Sequence, residues 1–264
     1  MDDAGKDPVG QAIAQDAPET LADKARLAWP RMAVLAVLAG AFIAFGSVIS
    51  LVAQSGLGEG PTTGPVRLLS GLAFSVGLIL VMIAGAELFT GNTMMVLPVT
   101  TGALPVSRMA AAWTVVWLGN LAGSIVVALM FAASGGLEGG VGDAARSVAA
   151  DKLDKSPQAV FCSGILANVL VCLAVWMSMN ANTRQAKILA IIGPIMLFVA
   201  AGLEHSVANM SLIPLGWLSG MQGGADWSSG LFNLLFSTVG NIVGGALLAL
   251  ALGYGHDALK RTDP

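Results

Sequence analysis

The sequence predicts an all-α membrane protein in which six transmembrane helices form two inverted three-helix repeats, the second and fifth helices being broken. Three observations predict it. Hydrophobic residues make up 55% of the 264 residues, charged residues 11%, and mean hydropathy is +0.77, a composition suited to lipid rather than to a water-soluble globule. Apolar runs long enough to span a bilayer, about 20 residues, recur near 31–53, 68–97, 109–133, 158–179, 188–217 and 230–254. Finally, Gly85, Glu87 and Asn92 in AGAELFTGN repeat the spacing of Gly202, Glu204 and Asn209 in AGLEHSVANM.

Residues 1–28 read as a polar arm. They carry Asp2, Asp3, Lys6, Asp7, Asp16 and Glu19 without a continuous apolar run, unlike a cleaved signal peptide, so the first span is expected to direct insertion. The stretch DAPETLADKARLAWP reads as a short amphipathic helix lying on the membrane surface. Residues 29–255 form the membrane domain, with repeats at about 31–133 and 158–254, and 256–264 are a short tail. Placing the N-terminus inside puts Lys6, Lys24, Arg26, Arg31, Arg108, Arg184, Lys187, Lys260 and Arg261 on the cytoplasmic side, against Arg67, Arg146, Lys152 and Lys155 outside. That asymmetry predicts cytoplasmic termini.

The second and fifth runs are too long. Each covers about thirty residues, roughly 45 Å as straight helix against a hydrocarbon core of about 30 Å. A break in each absorbs the excess, with Gly85, Gly91 and Gly202 expected where the backbone turns or is closely approached. Irregular backbone is tolerated at membrane depth only where protein buries it or it lines a cavity, so both breaks are expected to face a pathway. The third and sixth spans carry GNLAG (119–123) and GNIVG (240–244), read as close helix-packing motifs. Three spans per half force the second half to enter from the opposite side, as in transporters with a site near the bilayer middle.

Glu87, Glu204 and His205 are the acidic and histidine side chains within these spans, and such groups are too costly in a membrane to be incidental. The two glutamates are expected to brace the breaks by accepting exposed backbone N–H groups, and Asn92 and Asn209 to tie the breaks by hydrogen bonds. A lone imidazole there can exchange a proton near neutral pH, its ordinary pKa being about 6.5, which marks His205 as the functional residue. Cys162 and Cys172, ten residues apart in one span, fall on different helix faces and read as packing residues. No metal or cofactor site is indicated. Two acids and a histidine suit a cation, ammonium or a proton, whereas helix N-termini suit an anion, and spacing leaves both open. An enzyme is disfavoured: Ser206 beside Glu204 and His205 lacks G-x-S-x-G, H-E-x-x-H or Cys-His company, and the first break has no histidine.

Several blocks together, GLAFSVGLILVMIAGAELFTGN, WLGNLAG, GILANVLVCLAVWMS, FVAAGLEHSVANM followed by IPLG, and TVGNIVGGALL, resemble the formate/nitrite transporter family over about residues 35–254. The resemblance implies an aquaporin-like fold, a homopentamer with one pore per protomer, a bacterial-type inner (plasma) membrane, no nucleic-acid partner, and passage of a small monovalent anion. Formate is the first expectation, then nitrite, then hydrosulfide. By matching position, Leu88 and Phe89 resemble the cytoplasmic constriction, Thr90 its polar contact, Phe198 the periplasmic constriction and His205 the central histidine. Lys152, sixteen residues before Asn168, matches the family's lysine outside the pore, with Lys155 close by in DKLDKS.

Overall fold

The computed structural model describes residues 9–55, 64–179, 181, 183–220 and 224–259. Lys6, Lys260 and Arg261, which enter the charge asymmetry above, lie outside them. Among the described residues five helices are long and apolar enough to cross a membrane: α2 (Trp29–Gln54), α3 (Gly64–Ala84), α6 (Val106–Ala133), α8 (Pro157–Met179) and α11 (Trp227–Gly255).

The two overlong apolar runs are both divided. The first leaves helix after α3, passes through residues 85–88, and continues as α4 (Phe89–Asn92), a tight turn at Thr93–Met95 and α5 (Val96–Thr100). The second divides into α9 (Arg184–Ala200) and α10 (Ser206–Leu218). Gly85 and Gly202 open the breaks in the left-handed region, at φ +70° and +67°, which any side chain with a Cβ enters only at a cost. Gly91 is different from the expectation: it sits within α4, and a Cβ there would meet Val175 at an ordinary 3.6 Å.

Helix packing follows the same scheme in each half. α2 packs on α3 and α6, α8 packs on α9 and α11, and α3 and α9 join the halves. Glycine allows the closest approaches: a Cβ at Gly123 would run into the Val37 carbonyl oxygen, and one at Gly244 into that of Ile165. Exposed Leu, Val and Phe side chains cover the outward faces of α2, α3, α6 and α11.

Two helices depart from the sequence reading. α1 (Val9–Arg26) turns its apolar face to protein rather than to lipid: Ile13, Ala14, Ala17 and Leu21 are buried against Met94, Leu97, Val175, Trp176 and Ala249. The amphipathic pattern is the same for either partner, and here protein supplies the apolar surface. The charged stretch after α6 contains a further helix, α7 (Gly140–Leu153), held by Ala144, Ala145 and Ala149, small residues that let it seat closely on α10 and α2.

Gly202→Ala should cost about 1–2 kcal/mol through its left-handed φ, whereas Gly91→Ala should change stability far less. Thermal unfolding of the purified variants checks this, and an equal loss in both would remove the argument that the turn depends on Gly202.

Candidate functional site

Both breaks expose helix N-termini, and an asparagine from a neighbouring helix closes each. Asn120, in GNLAG, accepts a hydrogen bond from the Phe89 N–H at 2.8 Å and donates to the carbonyls of Ala36 and Glu87 at 2.7 and 2.9 Å. Asn241, in GNIVG, accepts from the Ser206 N–H at 2.8 Å and donates to the carbonyls of Gly164 and Glu204 at 2.8 and 3.0 Å. Both asparagines are fully buried, so a lost partner there carries a desolvation cost. These motifs therefore do more than the close packing read from the sequence.

The glutamates differ from expectation too. Neither braces its break by taking backbone N–H groups; both take side-chain donors. Glu87 accepts from Lys24 Nζ of α1 at 2.9 Å and from Asn92 Nδ2 at 2.9 Å. Glu204 accepts from Lys155 Nζ at 2.6 Å, Lys152 Nζ at 3.2 Å and Asn209 Nδ2 at 2.7 Å, with Asn233 Nδ2 at 3.3 Å. The Glu204 side chain is 0% exposed and that of Lys152 11%, so each charge depends on the other for compensation. Burial draws the Lys152 pKa below its ordinary value, while the Glu204 carboxylate opposes that fall. Lys155 also donates to the Gly202 carbonyl at 2.8 Å, which ties it to the turn itself.

His205 sits between the halves. Its Nδ1 accepts the Ala208 N–H at 3.0 Å and caps α10, which leaves the proton of the neutral ring on Nε2. Nε2 lies 2.9 Å from Thr90 Oγ1, at the start of α4. The ring is 2% exposed, and Thr90 is fully buried. Phe198 lies 5.6 Å from the imidazole, centre to centre, and meets Phe74 edge-on at 5.5 Å. Immediately before Thr90 in the chain, Leu88 and Phe89 are both buried, and Phe89 meets the Trp113 ring at 6.3 Å. Trp113 also donates to the Asn92 carbonyl at 2.8 Å, holding the short α4 segment.

A cavity of about 540 Å³ opens on the α7 side and reaches inward as far as Phe74, Phe198 and Ala208, with Lys152 and Lys155 in its wall; Phe198 stands between it and His205 as the imidazole's ring neighbour. Thus His205, Thr90, Phe198, Glu204, Asn209 and Lys152 come together, while Glu87 and Asn92 form a matching pair at the other break. The roles of Lys24, Trp113, Asn120, Asn168, Asn233 and Asn241 at this centre escaped the sequence reading. Asn168 donates to the Thr90 carbonyl and to Thr93 Oγ1, at 3.2 and 2.9 Å. Only the repetition of GN-x-x-G pointed toward any of them. Among the described residues no three His, Cys, Asp or Glu side chains group to hold a metal, and both cysteines are free, Cys162 exposed and Cys172 buried.

Removing the carboxylate's charge tests the pairing. Glu204→Gln should destabilise the protein by about 3 kcal/mol, and Glu204→Gln combined with Lys152→Met should recover part of that loss. Unfolding measurements on both variants decide it; additive losses would mean that Lys152 and Glu204 do not compensate one another.

A sequence model described as formate/nitrite transporter matches residues 11–255. The chain is 39% identical to the probable formate transporter of Methanothermobacter thermautotrophicus, over 98% of this chain and 100% of that one. It is also 39% identical to the nitrite transporter NirC of Salmonella typhimurium, over 88% and 84%. Among solved structures, a pentameric formate channel with formate bound superposes with a TM-score of 0.79 at 33% identity, covering 88% of this chain and 98% of that one.

Proposed function

The chain belongs to the formate/nitrite transporter family, and from that premise we propose that it is a pentameric membrane channel for small monovalent weak-acid anions, with formate as the principal substrate. Nitrite or hydrosulfide is the alternative within the family. The reading includes six spans in two inverted repeats, cytoplasmic termini in an inner (plasma) membrane, and entry from outside through the cavity on the α7 side. Support for the pentamer comes from the assembly of the solved formate channel and from the apolar outward faces of the long helices.

The observation that carries the reading is the contact of His205 Nε2 with Thr90 Oγ1 at the meeting of the two breaks. An anion entering from the cavity passes Lys152, whose charge favours its approach. It then meets Phe198 and, beyond the histidine, Leu88 and Phe89, where apolar walls make a bare charge costly. The Nε2–H of His205 and the hydroxyl of Thr90 are the donors available there. Sharing a proton with the weak acid at this point lowers the charge that must cross the rings. Strong, fully hydrated ions gain no such relief, which gives the channel its preference for weak acids.

A carboxylate-lined cation path is disfavoured because Glu87 and Glu204 are both already paired with lysines. Catalysis is disfavoured too: His205 faces Thr90 and caps its own helix, and among the described residues the hydrogen-bond partner of Nε2 is that hydroxyl.

His205→Phe should fold, assemble and lose most formate uptake into proteoliposomes near neutral pH. The variant also gives up the Ala208 cap, costing about 1 kcal/mol, so oligomeric state is confirmed before flux is compared. Wild-type flux and pH dependence in that variant would end the proton-sharing account, and uptake of ammonium alone by the wild type would end the anion reading. Lys152→Ala should slow uptake from the α7 side more than Lys155→Ala, by a factor that shrinks as salt screens the attraction. Equal effects of the two substitutions would refute a special role for Lys152.

A further inference from the structure

Arg67 takes no part in anything described so far. It lies in the first turn of α3, exposed, and among the described residues neither a hydrogen bond nor an ion pair engages its guanidinium. Its position is nevertheless specific. A Cβ built on Gly202 would lie 3.3 Å from Arg67 Nη2, so the guanidinium rests on the turn that opens the second break. Arg67 lines the same cavity as Lys152, Lys155, Phe74 and Phe198.

The helix continues that line inward. Arg67, Ser70 and Phe74 are three and four residues apart, and such spacing puts side chains on one helical face. All three line the cavity. Ser70 is buried and contacts Ser50 Oγ at 2.6 Å, while Gln54 Nε2 donates to Ser70 Oγ at 3.0 Å. Phe74 then meets Phe198, and Phe198 meets His205. One face of α3 thus presents a cation, a polar cluster and an apolar ring in succession toward the imidazole.

The other cavity cations are committed. Lys152 and Lys155 both hold Glu204, and Lys155 holds the Gly202 carbonyl as well. Asp151 and Asp154 also line the cavity and offset part of the attraction that Lys152 exerts, so a capturing group there gains from offering direct hydrogen bonds as well as charge. A guanidinium offers paired N–H donors in one plane, matched to two oxygens on one atom; an ammonium offers point charge without that fork.

We propose that Arg67 is the specificity-determining residue of the outer cavity, which receives planar two-oxygen monoanions such as formate and nitrite by paired hydrogen bonds and favours them over single-centre anions such as hydrosulfide. The proposal rests on the anion-channel reading above and narrows its substrate class.

The test uses the full-length protein in proteoliposomes, with wild type, Arg67→Lys and Arg67→Ala compared for formate, nitrite and hydrosulfide uptake at mildly alkaline pH, and empty vesicles subtracted. Arg67→Lys keeps the charge and removes the fork. The half-saturating concentrations of formate and nitrite should rise roughly tenfold, the loss expected for one charge-assisted hydrogen bond. Maximal flux and the hydrosulfide response should stay within about twofold. Arg67→Ala should show the same loss for the two planar anions, enlarged. Unchanged selectivity in Arg67→Lys, or an equal loss for all three anions, overturns the proposal while leaving the channel reading intact. A wild type that moves none of the three overturns both.

Discussion

Backbone leaves the helix twice inside an apolar assembly, and every exposed peptide group there must find a partner. Lipid offers none. Asn120 and Asn241 supply the solution at both breaks: each takes one N–H at the start of a helix and gives its amide to two carbonyls, one of them belonging to the nearby glutamate. The rest of the centre depends on those two side chains. With Ser206 held by Asn241, His205 is fixed as the cap of α10 and its Nε2 is aimed at Thr90. With Phe89 held by Asn120, Thr90 is fixed to receive it.

Charge is handled in the same paired way. Each glutamate is held by its own asparagine five residues on and by a lysine brought from elsewhere, Lys24 at the first break and Lys152 with Lys155 at the second. Neutralising buried carboxylates leaves the central imidazole and hydroxyl as uncharged donors, the chemistry that suits a weak-acid anion passing through an apolar setting. The first lysine comes from α1, so the polar arm is joined to the break by an ion pair as well as by its apolar face.

Much of this was legible in the sequence, and the reason is local. The breaks announce themselves because an acid, a glycine and an asparagine recur at fixed spacing inside runs too long to be straight helix. His205 stands out because an imidazole in such a run is costly. The asparagine clamps were hidden because Asn120 and Asn241 find their partners 31 and 35 residues away, and a GN-x-x-G spacing serves close packing equally well; Gly123 and Gly244 do pack in that way. The lipid-facing reading of α1 failed for a related reason, since an amphipathic pattern reveals an apolar face without revealing what covers it. Lys24 and Arg67 were legible only as charges on a side, and Lys155 only as a neighbour of Lys152, because which carboxylate or cavity a flexible cation reaches is decided by the fold.

The claim most open to direct attack is that buried asparagine holds the break on which His205 stands. Asn241→Leu keeps the branched shape of the side chain and removes three hydrogen bonds, leaving the Ser206 N–H without its partner and taking the amide donor from the Gly164 and Glu204 carbonyls. Unfolding of the purified protein and formate flux from the same preparation would be measured together. The account predicts a loss of about 2 kcal/mol or more with flux abolished, and a stable Asn241→Leu protein that carries formate at the wild-type rate would contradict it.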